Sequence, residues 1–250
     1  MPRQLPRRTL RQSLGGALAL GACVIALTGC TSAPPAPETV PTPVPTITAT
    51  VVPSGDGVLR IGTLFPTTGD FAASGAAQVA GTQLAARTVG DEGGIPGRTI
   101  ELIHRNSTKD VPALVAEFVA RGTDVVLWDA ATTPSEEVVA SVTESGLAFL
   151  ALGDFANGGT PLATDEVFTA RLKTADPGLT ATAGGGESYD GVIATALAAT
   201  VAGDDAPASV EIGWDAVGAG PTVCTSWGEC VAAIVDEQSI YYQGVTGVRS

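Results

Sequence analysis

From residue 58 onward the apolar residues fall into short runs separated by polar and glycine-rich stretches. Val58-Leu59-Arg60-Ile61-Gly62-Thr63-Leu64-Phe65 reads as a buried strand. A polar loop over 66–74 leads into an Ala/Gly-rich stretch that predicts a helix over 75–89, and Gly93-Gly94-Ile95-Pro96-Gly97 is a turn cluster. Thr99 to Arg105 predicts a second strand. Val111 to Arg121 predicts a helix, with Pro112 tolerated in its first turn and Gly122 as its stop. Asp124 to Trp128 reads as a third strand, Pro134 to Glu144 as a helix and Leu147 to Leu152 as a fourth strand. Further on, Tyr189, Val192, Ile193, Ala196 and Leu197 share one helical face, which predicts an amphipathic helix with Tyr189 in the core. Gly184-Gly185-Gly186 relaxes the chain just before it. Strands alternating with helices imply an α/β fold with a parallel, Rossmann-like sheet of right-handed βαβ units. The near-continuous apolar strands fit a sheet covered on both faces.

Before residue 58 the pattern is of another kind. Arg3, Arg7, Arg8 and Arg11 precede an apolar run from Leu14 to Leu27, the layout of an export signal. The run falls short of the roughly 20 residues that a membrane-spanning helix needs. It ends in Leu27-Thr28-Gly29-Cys30, which resembles the lipobox of bacterial lipoproteins. There the small residues admit the backbone to a peptidase, and the thiol becomes the lipid-bearing group. Residues 1–29 are therefore expected to be a lipoprotein signal peptide and Cys30 the site of lipidation, anchoring the chain to the outer face of the cell membrane. The plainer alternative is a secreted chain in which Cys30 is incidental. Arg7-Arg8 faintly resembles a twin-arginine signal, but an ordinary basic head accounts for it. Residues 31–55 contain seven prolines and six threonines. Proline fixes φ and removes a backbone donor, so this stretch is expected to be extended. It would form a linker of at most about 75 Å at roughly 3.1 Å per residue. A tether of selected length and a plain disordered segment fit equally well. The domain layout expected is thus 1–29 signal, 30–55 lipidated cysteine plus linker, and 56–250 one α/β domain.

Charge narrows the function classes. The whole chain of 250 residues carries a net charge of −13. All four basic residues of the first 29 lie where there is no acid, which leaves nine basic and 26 acidic side chains in the remainder. Such a surface repels phosphate backbones, so no nucleic-acid partner is expected. It also repels an anionic bilayer, so membrane attachment has to come from the lipid.

Candidate chemistry is sparse. His104 is the one histidine and lies inside a predicted strand, and no G-x-S-x-G elbow accompanies it, so a hydrolase reading finds no nucleophile-base pair. The three glycines at 184–186 fit neither a dinucleotide fingerprint nor a phosphate loop with its lysine. Acidic residues show no calcium-loop spacing. Neither an enzyme activity nor a cofactor or metal is expected. Cys23 leaves with the signal, and Cys224 and Cys230 remain in an exported chain, where a disulfide between them is the default. It would close a small loop holding Trp227.

Leu59 to Ser107 resembles the first βαβ unit of the type I solute-binding proteins of branched-chain amino acid ABC transporters. Pro66-Thr67-Thr68-Gly69 stands for that family's P-x-T-G loop, Gly81 to Ala86 for its small-residue helix, and Gly93-Gly94-Ile95-Pro96-Gly97-Arg98 for its GG-x-x-G-R turn. Glu187-Ser188-Tyr189-Asp190-Gly191-Val192 resembles its YDAV helix, and Val167 to Leu179 the helix before it. Cys224-Thr225-Ser226-Trp227-Gly228-Glu229-Cys230, then Tyr242-Gln243-Gly244-Val245-Thr246-Gly247, resembles its C-T-S-x-x-E-C … D-Y-Q-G-x-S-G ending. The motifs stand in the family's order over about two thirds of the chain.

That resemblance implies a solute-binding lipoprotein that captures an amino acid or a related small zwitterion for an ABC transporter permease. Family members are clamshells of two lobes. Here the returning helix comes after only about ten residues, 153–162, where the family inserts several βα units, and the chain ends at Ser250, where the family usually continues. The resemblance therefore implies a truncated member, with most of the second lobe missing. Open α/β sheets bind ligands at the carboxyl ends of their strands. In the family a hydroxyl pair after the third strand holds an amino acid's main-chain groups, a position that Thr132 and Thr133 match, with Ser74 able to contribute from the first loop. The same residues fit a capping box, with Thr133 as N-cap, Pro134 at N1 and Glu136 at N3, and Ser74 equally suits an N-cap. Capping is the simpler account. Two other functions stay open beside solute binding: a one-lobe accessory or scaffold lipoprotein, and a degenerate remnant that binds nothing.

Overall fold

A computed structural model describes residues 54–156 and 160–247. The signal and linker, Cys30 included, lie outside the described residues. Within them the chain runs β1 (Val58–Phe65), α1 (Ala72–Asp91), β2 (Thr99–Asn106), α2 (Val111–Ala120), β3 (Val125–Trp128), α3 (Glu136–Thr143) and β4 (Ala148–Ala151). After a short 3₁₀ turn at Leu152–Asp154 come α4 (Glu166–Ala175), α5 (Gly185–Ala202), α6 (Pro207–Val217), β5 (Thr222–Cys224), α7 (Trp227–Val235) and β6 (Ile240–Tyr242).

β1 to β4 form one sheet in the order β2-β1-β3-β4, every pair parallel. That is the doubly wound arrangement in which the order reverses beside β1, leaving a crevice between the carboxyl ends of β1 and β3. The two central strands are buried almost throughout, with Leu59, Ile61, Leu64, Phe65 and Val125 to Leu127 at zero exposure. A strand covered on both faces needs apolar side chains at every position rather than at alternate ones. One face carries α2 and α3 over a cluster that includes Leu64, Phe118, Val126 and Val142. The other carries α1, α4 and α5 over a larger cluster that extends to Trp227 and Tyr242.

Three helices differ from what the sequence predicts: α1 starts three residues early, at Ala72, so that Ser74 falls inside its first turn. α5 is not amphipathic: every residue from Gly185 to Ala199 is buried, because α1 flanks it on one side and α6 on the other. Small residues permit this. A Cβ added to Gly81 would come within 2.2 Å of the Gly185 carbonyl oxygen, so α1 and α5 meet backbone to backbone. The third is α3, which starts at Glu136 behind the N-cap Ser135, two residues later than expected.

The first described residues are tied down at the amino end of the sheet. Asp204 accepts from the backbone N–H groups of Ser54 and Gly55 at 3.3 and 2.9 Å, and Asp205 from those of Asp56 and Gly57. Arg98 pairs with Asp205 at 2.9 Å. At the other end of the chain, β5 and β6 form a separate two-stranded parallel sheet. A disulfide joins Cys224 to Cys230 with Trp227 buried in its loop, as expected of the two cysteines that remain in an exported chain.

Candidate functional site

The crevice at the carboxyl ends of β1 and β3 holds a buried polar network in an otherwise apolar region. Asp129 follows directly on β3, and its backbone N–H donates to Leu64 O, which extends the sheet by one residue. Its side chain is 1% exposed. Gln78, two turns into α1, has no exposed surface at all. Gln78 Nε2 donates to Asp129 Oδ1 at 2.5 Å and to Ser74 Oγ at 3.3 Å, while Gln78 Oε1 accepts from the Ala130 backbone N–H at 2.9 Å. The second carboxylate oxygen of Asp129 accepts from Thr132 Oγ1 at 2.8 Å. Trp128 Nε1 donates to the Thr132 carbonyl and hydroxyl at 3.0 and 3.2 Å, which fixes the loop after β3. Ser74 Oγ donates to Ala183 O at 3.2 Å, linking α1 to the segment that enters α5.

Gly184 closes the network from above. It is the N-cap of α5 with φ +82, and a Cβ there would lie 2.8 Å from Gln78 Cγ. Both the left-handed backbone and the close approach call for glycine. The rim outside is rich in hydroxyls: Asn106 Nδ2 donates to Thr68 Oγ1 at 2.9 Å, and Thr108 Oγ1 donates to Asn106 Oδ1 at 3.0 Å.

The three residues expected to bind a ligand fare differently. Thr132 and Ser74 belong to this one network, bridged by Gln78 and Asp129, whereas Thr133 is exposed and outside it. Neither cap assignment stands. Ser135 is the N-cap of α3, its Oγ accepting from the Val138 backbone N–H at 3.3 Å, because the loop 129–134 is pulled inward by Asp129 and Trp128 before the helix starts. Ser74 lies inside the first turn of α1, whose N-cap is Phe71 without a side-chain bond. The Thr132 hydroxyl hydrogen is already committed to Asp129, so that oxygen has no proton left for a ligand unless the contact breaks.

Sequence reasoning missed Gln78, Asp129 and Gly184. A signal existed for two of them. Gln78 is the one long polar side chain on the Ala/Gly face of α1, and Asp129 is an acid set immediately after four buried apolar residues. Nothing in the sequence places them against each other, since they are 51 residues apart.

His104 is removed from this site. It sits in β2 with its Nδ1 2.8 Å from Thr63 Oγ1, and burial, aided by the neighbouring Arg105 charge, pushes its pKa down. Among the described residues no group of three or more His, Cys, Asp or Glu side chains is placed to hold a metal ion. No helix among them is long and apolar enough to cross a membrane.

A doubly wound lobe with a polar slot at its switch point defines the class of α/β ligand-binding folds. Within it, the profile of the periplasmic binding protein family matches residues 58–222, 165 of the 250 residues, and the chain belongs to that family. Comparison with curated proteins finds no match. Among solved structures, similarity extends to the branched-chain amino acid transporter substrate-binding protein LivJ from Streptococcus pneumoniae in complex with isoleucine. The identity is 25%, the TM-score 0.34, and the match covers 38% of this chain and 28% of that one. A substrate-binding periplasmic protein from Ralstonia solanacearum is 16% identical over 74% of this chain and 48% of that one, with a TM-score of 0.32. A solute-binding protein of an ABC transporter from R. palustris, in complex with 4-hydroxybenzoate, is 11% identical over 75% and 46%, with a TM-score of 0.31. The chain spans less than half the length of each of these three.

Proposed function

We propose that this chain is the extracytoplasmic solute-binding component of an ABC transporter, lipid-anchored through Cys30, and that it delivers an amino acid or a similar small zwitterion to a membrane permease. The observation that carries the reading is the buried polar slot of Asp129 and the Ala130 N–H at the switch point of a periplasmic-binding-protein lobe. A carboxylate beside a backbone donor complements the ammonium and carboxylate of a zwitterion. In this reading Thr132, Ser74 and the exposed Thr133 supply hydroxyls around the ligand, and Thr132 gives up its bond to Asp129 when the ligand arrives.

Thermal unfolding of the mature chain against a panel of amino acids, isoleucine, leucine and valine included, tests the binding claim, because a ligand that binds only the native state raises the melting temperature. A rise that Thr132→Ala abolishes supports it. Mass spectrometry of the membrane fraction tests the anchor: the mature chain should begin with an acylated Cys30, and an unmodified Cys30 there sinks that part.

One observation favours a second reading, an accessory or scaffold lipoprotein that binds no solute. Gln78, Asp129, Ser74 and Thr132 satisfy one another, so the slot is complete without a ligand. No melting shift with any panel member leaves this reading and that of a remnant, and a stable, cooperatively unfolding chain then selects the scaffold.

A further inference from the structure

The Gln78 amide is oriented by its surroundings. Because the Ala130 N–H points at it, Oε1 must face that donor, and Nε2 must then face Asp129 Oδ1. The second Nε2 proton goes to Ser74 Oγ. Both N–H groups and one lone pair of the amide oxygen are thereby matched, on a side chain with no exposed surface that Gly184 covers closely. A lone carboxylate has no proton for Asp129, and a lone ammonium has no acceptor for Ala130. A zwitterion carries both on two separate groups, whereas a primary carboxamide carries both in one planar group, as Gln78 does.

We propose that the slot formed by Asp129, the Ala130 N–H and Ser74 is a binding site for a primary carboxamide, and that Gln78 is its resident occupant, an internal plug that keeps the crevice closed to other ligands. The proposal rests on the reading of the crevice as the ligand end of the molecule. It also sets a condition on that reading, since a solute that uses Asp129 or the Ala130 N–H must first displace Gln78. Tethered on the same helix, the Gln78 amide holds the slot at a high effective concentration, which a free ligand has to outcompete. Leaving Asp129 Oδ1 and the Ala130 N–H unpaired in a buried site is unfavourable, so the plug leaves only when something equivalent replaces it.

Chemical rescue tests this. Gln78→Ala keeps Cβ and removes a fragment with the heavy atoms of acetamide, so acetamide added to the full-length variant can restore every bond of the plug. The expected result is a saturable rise in the melting temperature of Gln78→Ala with acetamide, no rise with acetate, and no rise in the wild type with either. A folded Gln78→Ala that responds to acetamide as the wild type does overturns the proposal. Because acetamide probes the variant and amino acids probe the wild type, failure here is separate from failure of solute binding.

If Gln78→Ala does not fold alone, Gln78→Glu carries the test. Asp129 is the titratable group that meets this side chain, with Ser74 and Ala130 as its other contacts. A glutamate there has to share a proton with Asp129. The variant should therefore gain stability as pH falls from 8 to 5, more steeply than the wild type does. A Gln78→Glu protein with the wild-type pH profile overturns the proposal.

Discussion

Tyr242 donates its hydroxyl to Asp190 Oδ1 at 2.8 Å across 52 residues of chain, joining β6 to the buried face of α5. Asp190 also accepts from the backbone N–H groups of Val245 and Thr246 at 3.0 and 2.9 Å and from Thr246 Oγ1 at 2.5 Å. One carboxylate thus ties Tyr242, Val245 and Thr246 to α5. Asp190→Ala leaves all four donors without that acceptor and should destabilise by about 3 kcal/mol or more, the range for breaking a buried network. Asp190→Asn retains a carbonyl and should cost less. Urea unfolding gives the totals, and hydrogen exchange of 242–247 shows whether the loss starts there. Equal stability of Asp190→Ala and wild type would rule out this anchoring role.

The loop after β3 separates a cap from a network. Ser135→Ala should cost about 1 kcal/mol, the usual worth of a serine N-cap. Thr133→Ala should be nearly silent, because its exposed side chain caps nothing. Thr132→Ala removes a hydrogen bond to a buried carboxylate and should cost roughly 1.5–3 kcal/mol. Denaturant midpoints should fall least for Thr133→Ala, more for Ser135→Ala and most for Thr132→Ala, and a Thr133→Ala loss larger than that of Ser135→Ala would return the cap to Thr133.

Asp124 makes stability depend on pH. Burial, with help from the Asp205 and Asp56 charges, pushes its pKa up to about 7, against the opposing Arg60 backbone N–H at 2.8 Å and the Arg60 charge. The folded state therefore holds the proton more tightly than the unfolded chain does. Its stabilising contribution is full below the ordinary carboxylate range and is lost as pH rises through about 7. Asp124→Asn stays neutral and can still accept from Arg60. Its stability relative to wild type should improve steadily between about pH 4 and pH 8. Unfolding free energies of both proteins across that range check this, and a constant difference would remove Asp124 as the cause.

The Cys224–Cys230 bridge closes a six-residue separation around Trp227. In the chain-entropy account a loop this short contributes about 2–3 kcal/mol. The double variant Cys224→Ala, Cys230→Ala should lose about that much in urea unfolding. Thiol labelling of the untreated wild-type protein should find neither sulfur reactive, and ready labelling of both would count against the bond.

The sequence by itself determined the α/β class and the parallel sheet, because strands alternate with helices and the central strands are rich in apolar residues, five of eight in Val58–Phe65 and all four in Val125–Trp128. It also pointed to the disulfide, since Cys224 and Cys230 are the two cysteines left beyond the expected signal and lipidation site. What only the tertiary structure decided was set by partners far apart. α5 read as amphipathic because its small residues carry no sign of a second neighbour, yet α6 covers the face that periodicity assigns to water. The cap of α3 moved to Ser135 because Asp129, Thr132 and Trp128 draw the preceding loop inward, a pull that local capping rules do not contain. Thr132 and Ser74 were legible as crevice residues from their places after β3 and β1. Gln78 and Asp129 were not: a buried polar side chain has meaning only with its partner, and helix α1 brings that partner from 51 residues away.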